Sequence, residues 1–283
     1  MDPSIPVIKD IVTGVMATGI VAMTAIGLRS SYSFFRRRIQ LRHMRNIFGD
    51  VDLLRESSSV VIPTFQPLSY DEFHKGKGTT YIDKNFIASA NGVKLEKKKV
   101  PLYSDVLVLD DYLAYDKVNA MLMNNGYGAV EFIPDIDALK EWKKHLIVCI
   151  GGPRSNQKLR QVMNTPAMEF FEVNDVHDLL SNWQLNLDYD GERHSYVACD
   201  VTAYAYVMKV SNPNFSQGKI MAIAGDCSYG TDMAAEYLKE NLVALSQRYK
   251  GDDFFILLTS DKGNIETMHE VIEFALENGQ KKG

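Results

Sequence analysis

The sequence has few cysteines, and their spacing excludes the usual structural uses of this residue. Cys149, Cys199 and Cys227 are an odd number, and no two of them form a Cys-x-x-Cys pair. This pattern argues against a disulfide framework and favours a reducing compartment. The six histidines show no metal-ligand spacing either. We therefore expect no structural zinc and no other metal or cofactor.

The common catalytic and cofactor-binding signatures are also missing. The 283 residues contain no Gly-x-x-x-x-Gly-Lys-Ser/Thr, no Gly-x-Gly-x-x-Gly and no Gly-x-Ser-x-Gly. These are the motifs of phosphate loops, dinucleotide sites and nucleophile elbows. The formal net charge is only -5, so the molecule as a whole is not built to bind a polyanion. These absences leave open whether the protein is an enzyme.

Charge is lacking altogether in residues 11–28, which consist of Ile, Val, Met, Ala, Gly, Thr and Leu. At about 1.5 Å per residue this stretch nearly spans a bilayer's hydrocarbon core, which predicts a short transmembrane helix. A buried core helix is one alternative, but it would normally have a polar face. A cleavable signal peptide would carry its positive charges before the apolar run, and here they follow it. A targeting presequence is the third alternative, which the uniform apolar run disfavours.

Arginines follow this apolar stretch, and no acidic residue occurs again before Asp50. Because positive charge beside a membrane helix stays in the cytoplasm, we expect a single-pass protein with its N-terminus outside and its C-terminal body in the cytoplasm. Tyr32, Phe34 and Phe35 interleave with the arginines. Nucleic acid is a competing partner for such a segment, but the adjacent apolar helix favours lipid headgroups, so we expect no specific nucleic acid. The arginines are Arg29, Arg36, Arg37, Arg38, Arg42 and Arg45.

These features divide the chain into a membrane anchor with a basic segment, residues 1–49, and a cytoplasmic domain, residues 50–283. The domain is long enough to bury a sizeable core. Gly14, Thr18 and Ala22 recur every four positions in the apolar stretch. Small residues at this spacing would let two such helices pack closely, so a homo-oligomer is among our expectations.

Strands and helices alternate along the domain, which predicts an α/β fold. We expect a Rossmann-like three-layer sandwich with a mostly parallel sheet, and an antiparallel hairpin joined by a turn at 211–214. Strands are predicted at 58–65, 129–133, 145–150, 168–173, 195–199, 203–210, 219–224 and 254–258. Helices are predicted at 110–125 and 136–144, after 155–156, from Thr231, and from 264 to 279. Residues 66–104 read as a polar surface insertion.

Three polar, glycine-bearing loops follow predicted strands, at 151–156, 225–231 and 260–264. Ligands of α/β sheets bind at the carboxyl ends of strands, where glycines admit close backbone approach and a helix N-terminus favours an anion. Arg154 adds a charge for a phosphate, and Ser155 or Asn156 is a natural N-cap. Tight turns without a ligand are the alternative. The candidate ligand-binding residues are Gly151, Gly152, Arg154, Ser155, Asn156, Gly225, Asp226, Ser228, Tyr229, Gly230, Thr231 and Asp261.

Acidic side chains near these loops are candidates for chemistry. A carboxylate at a helix N-terminus acts as a cap, as an acceptor for a ribose hydroxyl, or as a general base. For Asp232 the cap is the favoured role, and Glu236 is expected to be a solvated helix residue. Cys227 is a weak candidate nucleophile, because no histidine lies nearby in the sequence.

The Gly151-Gly152 pair, together with Gly230-Thr231 followed by the acid Glu236, resembles the family of LOG-type phosphoribohydrolases and their sensor relatives. The resemblance covers residues 145 to 240. It implies a Rossmann-like fold that handles or senses nucleotides. Sensor relatives in antiviral defence and nucleotide signalling are often fused to membrane helices, which matches the arrangement of this chain.

Taken together, the residues and the resemblance predict a membrane-anchored, cytoplasm-facing domain that binds a nucleotide or nucleotide-derived ligand and passes a response to the membrane helix. A nucleotide-processing hydrolase that uses Asp226, Asp232 or Glu236 is the alternative. A membrane-tethered scaffold with vacant loops is a third hypothesis.

Overall fold

The computed structural model describes residues 31, 34–63, 81–83, 99–101, 109–128, 130–135, 137–174, 183–277 and 280–281. The predicted transmembrane stretch at 11–28 and most of the predicted insertion at 66–104 lie outside these residues. Within the described ranges, no helix has both the length and the apolarity needed to cross a bilayer.

The described chain contains five α-helices and thirteen strands. The helices are α1 (34–48), α2 (Val51–Glu56), α3 (Leu109–Asn124), α4 (Gln157–Met163) and α5 (Ser228–Tyr249). The strands are β1 (Ser58–Ile62), β2 (Tyr81–Asp83), β3 (Lys99–Pro101), β4 (Glu131–Pro134), β5 (Leu146–Ile150), β6 (Phe171–Val173), β7 (Gln184–Tyr189), β8 (Glu192–Val197), β9 (Thr202–Ser211), β10 (Lys219–Gly225), β11 (Asp253–Asp261), β12 (His269–Glu277) and β13 (Gln280–Lys281).

Eight of these strands form one sheet in the order β13-β12-β11-β9-β10-β5-β1-β4. The neighbours β4, β1, β5 and β10 are parallel, and the ladders from β10 through β9, β11 and β12 to β13 are antiparallel. The α/β class is therefore confirmed. So is the β9–β10 hairpin, in whose turn the Asn212 side chain accepts a hydrogen bond from the N–H of Asn214.

The segment predicted as the final helix is a strand, so that prediction is wrong. A 3-10 turn at Ile265–Thr267 leads directly into β12. The sequence here has apolar residues at both helical and alternating spacing, and Ile272, Phe274 and Leu276 all face the core as a strand. Pairing with β11 decides between the two, because it satisfies the backbone of both strands. The antiparallel part of the sheet is consequently larger than the single predicted hairpin.

Different layers cover the two faces of the large sheet. On one face α3 and α5 pack against each other and against the sheet, sharing one core with the end of α1. On the other face lie α4 and a separate three-stranded sheet, β6-β7-β8. Strands such as β5, which is buried along its whole length, contribute alternate residues to the two cores. The segment 166–202, which the sequence left hard to interpret, supplies this small sheet.

The last turns of α1 belong to the core of the domain. Met44, Ile47 and Phe48 are fully buried. The Nζ atom of Lys209, a buried residue of β9, donates to the carbonyl oxygens of Asn46 at 3.1 Å and Gly251 at 2.8 Å. These contacts fasten α1 to the sheet, although the boundary after residue 49 stays a prediction.

Candidate functional site

The three loops singled out in the sequence leave the same edge of the large sheet. Strands β1, β5 and β10 are mutually parallel, and β11 runs in the same direction because both β10 and β11 are antiparallel to β9. The loops that begin after Ile62, Ile150, Gly225 and Asp261 therefore start at one carboxyl edge. This is the edge at which α/β sheets bind ligands.

The glycines of two of these loops pack against backbone. A Cβ atom on Gly225 would lie 2.5 Å from the carbonyl carbon of Gly230 and 2.6 Å from its Cα. A Cβ on Gly152 would lie 2.8 Å from the carbonyl oxygen of Gly225, and one on Gly230 would lie 2.8 Å from that of Tyr204. The protein's own main chain therefore accounts for these glycines. Their presence does not by itself indicate a ligand.

Helix α5 begins at Ser228, three residues before the predicted start at Thr231. Cys227 is the N-cap and makes no side-chain capping hydrogen bond. Asp226 lies just before it and accepts from the N–H of Tyr204 at 3.3 Å and from Cys227 Sγ at 3.3 Å. The predicted loop residues Ser228, Tyr229, Gly230 and Thr231 thus form the first turn of the helix.

The loop between β5 and α4 is held by its own hydrogen bonds. Asn156, one of the two predicted N-cap candidates, is the N-cap: its Oδ1 accepts from the N–H of Leu159 at 2.9 Å. Its Nδ2 donates to the carbonyl oxygens of Val61 and Ile150, so the side chain also joins the ends of β1 and β5. Ser155 Oγ donates to the carbonyl oxygen of Gly152.

The remaining polar residue of this loop, Arg154, points its guanidinium toward the small sheet. Its Nη2 donates to Asn174 Oδ1 at 3.1 Å, and its carbonyl oxygen accepts from Arg160 Nη2 at 2.8 Å. Asn174 follows β6, so this contact ties the loop to the layer on the β6-β7-β8 face. A phosphate-binding role for Arg154 stays a prediction.

Asp232 and Glu236 share one lysine. Lys117 of α3 places its Nζ 2.7 Å from Asp232 Oδ1 and 2.8 Å from Glu236 Oε2. Asp232 therefore does not cap α5, because the helix starts before it and its carboxylate is ion-paired. Burial acts to raise the pKa of Glu236, but hydrogen bonds from Lys117 and Lys239 lower it overall. The three residues form an ion-pair network between α3 and α5.

Cys227 is not placed as a reactive nucleophile, and Asp261 lies exposed at the end of a strand. Burial, followed by the charge of Asp226, raises the pKa of Cys227 to about 12, which keeps the sulfur as a poorly nucleophilic thiol near neutral pH. Asp261 ends β11 as an exposed residue. Its backbone N–H donates to Thr267 Oγ1 at 2.8 Å.

The edge contains a buried carboxyl that the sequence did not single out, Asp111 in the first turn of α3. Asp111 is 3 % exposed. A Cβ atom on Gly151 would lie 3.3 Å from its Oδ2. Burial raises the pKa of Asp111 to about 7, against the lowering effect of a hydrogen bond with the Thr231 side chain. The other oxygen, Oδ1, is buried and has no hydrogen-bond partner among the described residues. The sequence shows that the first turn of α3 is acidic, but it does not show that Gly151 and Thr231 lie beside Asp111 in the fold.

Two buried hydroxyl groups also lie near the start of α5. The oxygens of Tyr229 and Ser260 are buried without a hydrogen-bond partner in the described chain. They are near enough for Ser260 to lower the pKa of Tyr229, which burial raises overall. The start of α5 therefore has a buried carboxyl, that of Asp111, and two buried hydroxyls near it.

The described residues contain no cluster of three or more histidine, cysteine or acidic side chains that could hold a metal ion.

Comparison of the sequence with models of known protein families gives no match, and no curated protein matches it.

Proposed function

We propose that the chain is a membrane-anchored, Rossmann-like sensor domain that binds a nucleotide or nucleotide-derived ligand at the carboxyl edge of its parallel strands. The observation that supports this proposal best is the unsatisfied Oδ1 of Asp111. Buried polar atoms in native proteins are nearly always hydrogen-bonded, so an exception calls for a ligand, a water or an ion. Its position beside Gly151 and Thr231, at an edge where such sheets bind ligands, favours a ligand.

The exposed half of α1 supports the membrane part of the proposal. Phe34, Phe35 and Ile39 are 63 %, 61 % and 58 % exposed, and the four arginines of this segment are exposed beside them. Bulky apolar side chains among arginines, directly after an uncharged apolar stretch, suit an anionic lipid surface on the cytoplasmic side. The arginines are Arg36, Arg37, Arg38 and Arg42.

Helix α5 offers a route from the ligand site to the membrane. Its first turn contains Gly230 and Thr231, and near its other end Ser246 contacts α1. Ser246 Oγ lies 2.9 Å from His43 Nδ1 and accepts from Asn46 Nδ2 at 3.0 Å. A ligand that shifted the start of α5 would therefore act on the helix that leads to the predicted anchor.

A hydrolase is the second candidate function, and the raised pKa of Asp226 favours it over a scaffold. Burial raises the pKa of Asp226, as is typical of a carboxyl that serves as a general acid. Asp232 and Glu236 fit that role less well, because Lys117 bridges both of them.

The proposal is tested with the full chain in detergent, by thermal unfolding against a panel of nucleotides and cyclic oligonucleotides. A ligand present at about 100 times its dissociation constant should stabilise the folded protein by about 2.7 kcal/mol. We expect Asp111→Asn to reduce this stabilisation and Asp52→Asn, at an exposed position of α2, to leave it largely unchanged. The absence of any stabilising compound would favour the scaffold, and turnover of the bound compound that Asp226→Asn abolishes would favour the hydrolase.

The membrane orientation is tested separately. A reporter fused after Gly283 should be cytoplasmic, and replacing Arg36, Arg37 and Arg38 together by glutamate should raise the fraction of molecules with the reporter outside. Replacing the surface lysines Lys140, Lys143 and Lys250 by glutamate is the charge-matched control, with no change expected. Recovery of the full chain in the soluble fraction would rule out the anchor.

A further inference from the structure

Two of the cations near the start of α5 are engaged with other groups. Lys117 pairs with Asp232 and Glu236, and Arg154 donates to Asn174. Lys262 is exposed, and its charge opposes the rise that burial causes in the pKa of Asp226 and of Cys227. No ion pair links Asp111 to a lysine or arginine within the part of the chain that the structure describes.

A phosphate beside Asp111 would therefore meet a buried carboxyl that no described lysine or arginine pairs with. Above pH 7, where Asp111 is ionised, it and the phosphate would be two like charges at close range, and these repel strongly because the low dielectric of the protein interior screens them little. A hydroxyl group, by contrast, would donate to the Oδ1 that lacks a partner and would remove the cost of leaving it unsatisfied. The chemistry of this corner of the edge selects a neutral hydrogen-bond donor.

We infer that Asp111 accepts a hydrogen bond from a sugar hydroxyl of the ligand, and that any phosphate of the ligand lies away from Asp111. This inference rests on the proposed nucleotide-binding function and makes it more specific. It assigns Asp111 the role of distinguishing a ribose from a sugar without its hydroxyls. Asp111 then forms the sugar end of the site, between the ends of β1 and β5 and the first turn of α5.

The experiment compares three sets of probes on the full chain in detergent, by equilibrium dialysis at pH 8, where Asp111 is mostly ionised. The probes are the four ribonucleoside monophosphates, the four 2′,3′-dideoxynucleoside monophosphates and inorganic pyrophosphate. For any base that binds, we expect the dideoxy compound to bind about 10- to 100-fold more weakly, because a hydrogen bond to a carboxylate is lost. This comparison needs only the wild-type protein.

Asp111→Asn provides the second readout, with Asp52→Asn, at an exposed position of α2 before the start of β1, as the control. We expect Asp111→Asn to weaken binding of the ribonucleotide toward that of its dideoxy counterpart and to leave any pyrophosphate binding unchanged. Equal binding of ribo and dideoxy compounds, or an equal loss of all three probes in Asp111→Asn, would overturn the inference while the proposed nucleotide site stands. Binding of none of the nucleotides would overturn both.

Discussion

Gly225→Ala is expected to lower the free energy of unfolding by about 3 kcal/mol or more, at or above the upper end of the usual cost of overpacking. The added methyl would meet the carbonyl carbon and Cα of Gly230 and the backbone nitrogen of Thr231, at 2.5 to 2.8 Å. These atoms belong to the first turn of α5, so relief requires the helix to move away from β10. Urea unfolding followed by far-UV circular dichroism measures the loss.

Gly263→Ala is the matched control for this change. Gly263 has a φ of +85° and no heavy atom within 4 Å of its added Cβ, so the substitution isolates the left-handed backbone strain, about 1 to 2 kcal/mol. The two variants should therefore differ clearly. An equal or smaller loss for Gly225→Ala would mean that α5 does not start in close contact with the end of β10.

The stability of the protein should fall as the pH rises through neutrality, because of Asp111. In the folded protein its pKa is about 7, against 3.8 in the unfolded chain. Between these values the folded state holds a proton that the unfolded state has released, so protonation favours folding at low pH and this contribution is lost as the pH rises through 7. At about 1.36 kcal/mol per pKa unit, the loss between pH 5 and pH 8 comes to roughly 2 to 3 kcal/mol.

Asp111→Asn removes this titration while nearly preserving the shape of the side chain. The free energy of unfolding of the variant, measured in urea from pH 5 to pH 8, should therefore decline less than that of the wild type by roughly 2 to 3 kcal/mol. Asp261→Asn, at an exposed position, should follow the wild type. If the wild-type and Asp111→Asn curves run parallel, Asp111 does not titrate near neutral pH in the folded protein.

Several local features of the site could be predicted because they depend on neighbours in the sequence. The N-cap at Asn156 requires only a side-chain oxygen three residues before a helical N–H. The placement of the three loops at one edge of the sheet could be predicted because each loop follows the end of a predicted strand. The start of α5 was predicted three residues late, because nothing local distinguishes a loop from a first turn when Gly230 packs on Gly225.

The sequence by itself determined the buried strands and the α/β class. Apolar runs such as Leu146–Ile150 leave no polar face and must be covered on both sides, whatever surrounds them. The tertiary structure alone decided the conformation of 269–277, since its apolar residues suit a helix or a strand and pairing with β11 made the choice. The tertiary structure also decided which carboxyl is buried at the proposed ligand site. Asp111 becomes a buried, proton-binding group only because folding brings Gly151 and Thr231 beside it and removes water from one of its oxygens.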